Sequence, residues 1–324
     1  MSYKLDSRDL KLLTELDLDS RQSFSELGKK LGLSKNAVAY RINNLKEEGI
    51  IKQFHTVVDI GKLGYISFRL YLNLQNTTPE KEEEIIDFLK QKENVTWLVS
   101  IEGDYDIGAL ILAKSVKEMN SLWKELLEKY VNYLEERLFT IMTHVSYYSR
   151  AYLTGQKHND YEIAFITEPE EAKLDGTDIE LLKLMAPDAR ARIIDLAGKL
   201  KITPKTVIAR IRALEKKKVI IGYKTMFELD KLGYQYFKVH FRLHNTTKDK
   251  LRQMRSYIKQ HPNIVYNNEV LGGDDVEMEL QVRDLQGLRA IISEIKALFG
   301  EMIREYKTML FYKEHKYLYL PVKL

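Results

Sequence analysis

Apolar residues recur at helical spacing in three short stretches at the start of the chain. Leu10, Leu12, Leu13 and Leu16 give Asp6–Leu18 one apolar stripe, and Ser25–Leu31 forms a second amphipathic segment. Gly32 supplies a tight turn, and Ser34 is placed to cap a third helix that ends near Gly49. In that helix Val38, Ile42 and Leu45 point inward. Lys35, Asn36, Tyr40, Arg41, Asn43 and Asn44 are left on the outer face. Two short helices joined by a tight turn predict a helix-turn-helix, with Ile50–Asp59 as a wing strand leading to a linker at Gly61–Gly64.

The period then changes from 3.6 to 2. Ile66, Phe68, Leu70, Leu72 and Leu74 alternate with Ser67, Arg69, Tyr71 and Asn73, which predicts a strand over Tyr65–Leu74. A helix at Glu80–Lys92, strands at Asn94–Glu102 and Tyr105–Ala113, a helix at Val116–Tyr130 and a strand at Leu134–Tyr148 follow. This β-α-β-β-α-β order is that of a ferredoxin-like sandwich. Its helices cover one sheet face only, so the other face requires a partner.

The whole plan occurs twice. Lys4-Leu5-Asp6 returns as Lys173-Leu174-Asp175, Leu63-Gly64-Tyr65 as Leu232-Gly233-Tyr234, and Asn76-Thr77-Thr78 as Asn245-Thr246-Thr247, always 169 positions on. A period this long marks a duplicated two-domain unit, not a solenoid. The expected fold class is therefore α+β: two winged, three-helix helix-turn-helix domains and two ferredoxin-like βαββαβ sandwiches in tandem. The domains are 1–60, 61–150, a connector at 151–172, 173–229 and 230–324. Within the connector Tyr161–Thr167 reads as an extra strand before an acidic end, Glu168–Glu171. The second copy has its helices at roughly Asp175–Met185, Ile193–Leu200 and Thr203–Lys217, with Lys201 in place of Gly32 and Pro204 at the first helical position.

Composition narrows the function without choosing it. The chain has 324 residues, 44% hydrophobic and 30% charged, which suits globular domains and not a disordered chain. With no cysteine there are no disulfides or thiolate metal sites, and the seven histidines show no metal-ligand spacing. No metal, cofactor or catalytic residue is expected. The absence of a long apolar run or a signal-peptide pattern makes a soluble, cytoplasmic protein the expectation, without a membrane partner. Net charge is only +4, yet residues 1–53 hold ten basic against eight acidic side chains, and residues 170–222 hold twelve against eight. Positive charge is thus concentrated in the two helix-turn-helix segments.

Those segments contain the candidate DNA-binding residues. In the first, Ser34, Lys35, Asn36 and Tyr40 lie near the N-terminal end of the third helix, where side chains reach base edges; Arg41, Asn44 and Lys46 follow, with Arg41 and Lys46 better placed for phosphates. In the second, Thr203, Lys205, Arg210, Arg212 and Lys216 give a more basic surface poorer in amides. The first copy is expected to contribute more to sequence choice and the second more to salt-sensitive affinity. The outer sheet faces also differ: Ser67, Arg69 and Tyr71 in one copy stand against Lys238, His240, Glu277, Glu279 and Gln281 in the other. In an intramolecular pairing Glu277 and Glu279 could meet Arg69; a solvated face or a contact for a second chain fits the same residues.

Helix-turn-helix, linker and βαββαβ sandwich, with Gly103-Asp104-Tyr105-Asp106 in the central hairpin, resemble the Lrp/AsnC (feast/famine) family of prokaryotic transcription regulators. The resemblance implies a sequence-specific regulator of transcription that binds double-stranded DNA. Members usually carry one unit and pair through their sheets, so this chain resembles a covalently joined dimer, with further homo-oligomers open. It also implies a small amino-acid effector at the hairpins: Gly103, Tyr105 and Asp106 in the first copy, Gly272 and Asp275 in the second. Plain hairpin chemistry accounts for the same residues. Two alternatives remain. One is a siroheme-decarboxylase-like enzyme on the same fold, which would need groups such as His144, Arg150 and His240 to converge; the other is a DNA architectural protein with little sequence preference.

Overall fold

The computed structural model describes residues 4–166, 169–318 and 320–321. The first copy comprises α1 (Ser7–Leu18), α2 (Phe24–Leu31), α3 (Lys35–Glu47), β1 (Ile51–Val58), β2 (Ile66–Leu74), α4 (Pro79–Gln91), β3 (Val95–Gly103), β4 (Ile107–Ala113), α5 (Val116–Tyr130) and β5 (Leu134–Tyr148). The connector supplies β6 (Glu162–Ile166), paired antiparallel with β5. This is the extra strand expected there, while Thr167 and Glu168 lie outside the described residues. The second copy comprises α6 (Gly176–Met185), α7 (Ile193–Leu200), α8 (Pro204–Lys216), β7 (Ile220–Phe227), α9 (Leu229–Leu232), β8 (Gln235–Leu243), α10 (Lys248–Gln260), β9 (Ile264–Leu271), β10 (Val276–Val282), α11 (Leu285–Phe299) and β11 (Ile303–Tyr317). Strand for strand the second copy answers the first, as Ile66–Leu74 answers Gln235–Leu243.

Local chemistry explains the heads. Asp6 and Ser23 open α1 and α2 with reciprocal capping boxes, and Ser34 caps α3 by accepting from the Ala37 amide. Gly32 ends α2 in the left-handed region at φ 63, and Lys201 takes the same conformation at φ 54 in the second copy. Thr203 caps α8 with Pro204 at its first position, where a missing amide hydrogen costs nothing. Val38, Ile42 and Leu45 are buried beneath α3, and Val207, Ile211 and Leu214 beneath α8.

The wings do not stand alone. β1 and β7 form a two-stranded antiparallel sheet with Phe54 opposite Thr225 and Thr56 opposite Tyr223. Around it the heads exchange matching contacts. The Thr56 hydroxyl donates to the Met185 carbonyl at 2.7 Å and the Thr225 hydroxyl to the Leu16 carbonyl at 2.7 Å. Arg190 donates to the Ser20 carbonyl at 2.6 Å, and Arg21 to the Ala189 carbonyl. Each pair of contacts repeats at the sequence period, so the heads are related by a local pseudo-twofold.

The sandwiches go further than the expected face-to-face pairing. Strand order runs β2-β4-β3-β11-β8-β10-β9-β5, and β5 pairs with β2 again, closing an eight-stranded barrel. The long final strands close it. The start of β5 lies on β2 of its own copy and its end on β9 of the other; β11 likewise leaves β8 to pair with β3. β5 and β11 have fifteen residues each while β2 and β8 have nine, so each final strand outruns its own sheet. The overhang covers an edge that would otherwise expose unpaired backbone groups. Helices α4 and α5 pack outside the first half over Phe68, Leu70 and Leu72; α10 and α11 pack outside the second over Phe237, Val239 and Phe241. The opposite faces of the eight barrel strands, carrying Arg69, Trp97, Leu110, Tyr147, Tyr236 and Glu279 among others, line the lumen.

Candidate nucleic-acid interface and barrel lumen

Lys35, Asn36, Tyr40, Asn43 and Lys46 form the exposed face of α3, with Tyr40 67% accessible. The Ser34 oxygen is engaged in the cap, and Asn44 is half-buried. Arg41, expected on that face, is instead turned onto α1. It pairs with Asp6 at 2.9 Å and Asp9 at 2.6 Å. Arg210 does the same with Asp175 at 2.8 Å and Asp178 at 2.6 Å. Both arginines brace the third helix of a head against its first, because acidic capping residues at the start of α1 and α6 lie within their reach. On α8 Lys205, Arg212 and Lys216 are exposed, while the Thr203 hydroxyl serves the cap. The two faces are unequal: Lys205 stands where the first copy has Asn36, Ala209 where it has Tyr40, and Arg212 where it has Asn43.

The hairpins are built as fasteners. The Asp106 carboxylate accepts from the Leu74 amide at 2.6 Å, and Asp275 from the Leu243 amide at 2.7 Å. Tyr105 is buried, stacked on Tyr71 with ring centroids 5.3 Å apart, and its hydroxyl accepts from Lys307 at 3.2 Å. Gly103 has φ +138, and a Cβ there would sit 2.2 Å from the Thr308 carbonyl oxygen of β11. Gly272, at φ +86, has its nearest obstacle 3.3 Å away. Gly103→Ala should therefore cost about 3 kcal/mol of stability and Gly272→Ala about 1 kcal/mol, measured by urea unfolding.

A charged cluster fills the deeper part of the lumen. Lys238, with no accessible surface, lies 2.8 Å from Glu277 and 3.4 Å from Glu279. His240 sits between Asp274 at 3.3 Å and Glu277 at 3.4 Å. Arg69 meets Glu279 at 3.5 Å, whereas Glu277 turns to Lys238 and His240. Burial alone would raise both glutamates, but the neighbouring cations hold them below the ordinary carboxylate range. Above this cluster the wing sheet roofs a cavity of about 720 Å³, bordered by Arg69, Trp97, Arg150, Tyr236, Tyr266 and Gln281 among others.

The joint between heads and barrel was not legible in the sequence. Arg150 donates through Nη1 to Asp17 at 2.5 Å and through its backbone amide to the same carboxylate at 2.7 Å. Its Nε reaches Gln281 at 3.0 Å. Lys224 donates to the Asp17 carbonyl at 2.7 Å between the rings of Tyr147 and Tyr161, and burial lowers its pKa to about 8. His55, buried nearby, is lowered to about 3 by burial and by Arg150 and Lys224. Unfolded His55 takes a proton below pH 6.5 and folded His55 does not, so stability falls with pH in that range. Between pH 6.5 and 4.5, His55→Phe should flatten the decline by up to about 1.4 kcal/mol per pH unit, followed by denaturant midpoints.

Among the described residues no group of three or more His, Cys, Asp or Glu could hold a metal ion, and no helix is long and apolar enough to cross a membrane. Residues 5–52 match the family described as winged helix-turn-helix DNA-binding, residues 174–215 the AsnC-type helix-turn-helix domain, and residues 237–320 the Lrp/AsnC ligand binding domain. The HTH-type transcriptional regulator Ptr1 of Methanocaldococcus jannaschii is 32% identical over 131 residues, which is 40% of this chain and 85% of that protein. The HTH-type transcriptional regulator LrpA of Pyrococcus horikoshii is 36% identical over 115 residues, 36% of this chain and 80% of the relative. Among solved structures, the siroheme decarboxylase NirDL shares the fold over 97% of this chain and 93% of its own, with a TM-score of 0.65 at 12% identity.

Proposed function

Because the chain belongs to the Lrp/AsnC family of helix-turn-helix transcriptional regulators, we propose that it binds double-stranded DNA as a dimer within one chain, through two unequal heads. The observation that carries this is the pair of exposed helices, α3 and α8, on heads tied together by the β1–β7 sheet. Lys35, Asn36 and Tyr40 are the proposed base-reading residues, with Asn43 beside them. Lys46, Lys205, Arg212 and Lys216 are the proposed phosphate contacts. Arg41 and Arg210 act indirectly, by setting the angle of each reading helix. Cytoplasmic location follows from this role. Two fixed heads fit half-sites about 34–36 Å apart or a multiple of that, and heads of different sequence fit a non-palindromic site.

Selection of bound sequences from a random DNA pool at stated salt tests the reading. Two dissimilar half-sites at fixed spacing are expected. Binding without enrichment would leave an architectural protein, and no binding would overturn DNA recognition altogether. We also take the chain to be a regulator and not a decarboxylase. Of His144, Arg150 and His240, only Arg150 borders the barrel cavity, and His240 is enclosed by Asp274 and Glu277. Release of CO2 from added siroheme would speak against this.

A further inference from the structure

We propose that the barrel lumen is a binding site for a flat organic carboxylate, and that Arg150 passes its occupancy to the first head. The cavity of about 720 Å³ is bordered by all eight barrel strands, and falls in the range that holds a drug-sized ligand. Its walls are aromatic. Phe311 meets Trp97 and Tyr236 edge-on, with centroids 5.2 and 5.3 Å apart, and Tyr266 lies against Tyr147 on the opposite side. Such surfaces bury a planar apolar body well.

Several of the buried polar atoms left without a partner on the cavity wall are donors. Arg69 is 8% exposed and its guanidinium lies 4.4 Å over the Trp97 ring, yet its Nε and Nη1 have no hydrogen-bond partner. Gln281 Nε2 is likewise unmatched, against one unmatched acceptor, Asn268 Oδ1. Arg69 touches Glu279 only through Nη2 at 3.5 Å, while Glu279 also receives the Tyr236 hydroxyl at 2.5 Å, Asn268 at 3.3 Å and Lys238, so Arg69 Nε and Nη1 are left for a second acceptor. Buried donors without acceptors are costly, and an anionic oxygen is the group that satisfies an arginine best. The ligand therefore brings a carboxylate to Arg69 and its ring to the aromatic wall.

The route to the head is short. The Gln281 side-chain oxygen Oε1 accepts from Arg150 Nε at 3.0 Å and from the Tyr152 hydroxyl at 2.5 Å, and Arg150 is paired with Asp17 at the end of α1. A ligand that engages the Gln281 amide pulls on the first link of that chain. This second half rests on the regulator reading; the binding half does not.

Calorimetry with indole-3-acetate, the uncharged indole-3-acetamide and the cationic tryptamine tests the charge preference on a constant ring. Indole-3-acetate should bind at least about tenfold tighter than the amide, and Arg69→Gln should erase the difference. Quenching of tryptophan fluorescence by phenylacetate, which carries no indole, should vanish in Trp97→Phe, which leaves Trp123 as reporter of the bulk. If Arg69→Gln does not fold by circular dichroism, the acetate–acetamide ratio and the Trp97 signal in the unaltered chain decide alone. Equal affinities, or no binding of indole-3-acetate, phenylacetate and 2-naphthoate at millimolar concentration, would overturn the site. DNA affinity is measured on the same preparation with and without ligand. Unchanged DNA affinity at saturating ligand would overturn the coupling alone, whereas failure of the ligand-free protein to bind DNA counts against the regulator reading.

Discussion

Asp17→Ala is expected to lower the unfolding free energy by about 3–5 kcal/mol, because it leaves Arg150 buried without its counter-ion. Asp17 is fully buried and gives both oxygens to Arg150, one to the guanidinium and one to the backbone amide. Lys224 lies close by, so the site without Asp17 would hold two cations with only the more distant Asp19 to offset them. The double variant Asp17→Ala/Arg150→Met should recover much of the loss, since an apolar side chain of similar reach carries no charge to desolvate. Urea unfolding of the two variants measures both numbers. Equal losses would mean that Asp17 stabilises through its contact with the Arg150 amide and not through charge.

The second large effect is on DNA. Converting Lys205, Arg212 and Lys216 together to glutamine should reduce the slope of log affinity against log salt by about 3, and weaken binding uniformly across sequences by about a hundredfold or more at moderate salt. Asn36→Ala should cost about 1–3 kcal/mol at one position of the preferred site and leave the salt slope unchanged. Titrations at several salt concentrations, on preferred and scrambled DNA, separate the two behaviours. If Lys205→Ala and Asn36→Ala remove site preference to a similar degree, the division of labour between the heads fails. Because the faces of α3 and α8 differ at all five of the outward positions Lys35, Asn36, Tyr40, Asn43 and Lys46, equality would be the more surprising result on chemical grounds.

Much of the architecture was written in local pattern. The bounds of α5 and β5 follow from Ser115 as a cap, helical spacing up to Tyr130 and alternation up to Tyr148. The repeat predicted the second copy, including the survival of α8 behind Pro204. Alternation reveals which face of a strand is inward, but says nothing about the neighbour along its edge. Closure of the barrel by β5 and β11 was therefore out of reach. The helical wheel failed at Arg41 and Arg210 for a related reason. It places a side chain on a face without knowing that Asp6 and Asp9, or Asp175 and Asp178, stand opposite. The structural work of the hairpin aspartates was hidden because their partners, the Leu74 and Leu243 amides, lie 32 positions upstream. The Glu279–Arg69 contact was among the readings the sequence left open, because alternation put opposite charges on the two outer faces; Asp17 and Arg150 share no such pattern.

The exchanged strands have a consequence for synthesis on the ribosome. When β3 emerges it finds β4 on one side, but its other edge waits for β11, the last strand of the chain. The far half of β5 waits similarly for β9. Through the whole translation of the second copy, the first displays two adhesive edges and a lumen face open to water. Nascent chains on one message would then be able to pair with each other's first copies, each copy taking from its neighbour the strand its own chain has yet to make. Slow elongation through the second half should raise the yield of such intertwined dimers, and a chaperone that shields strand edges should suppress them.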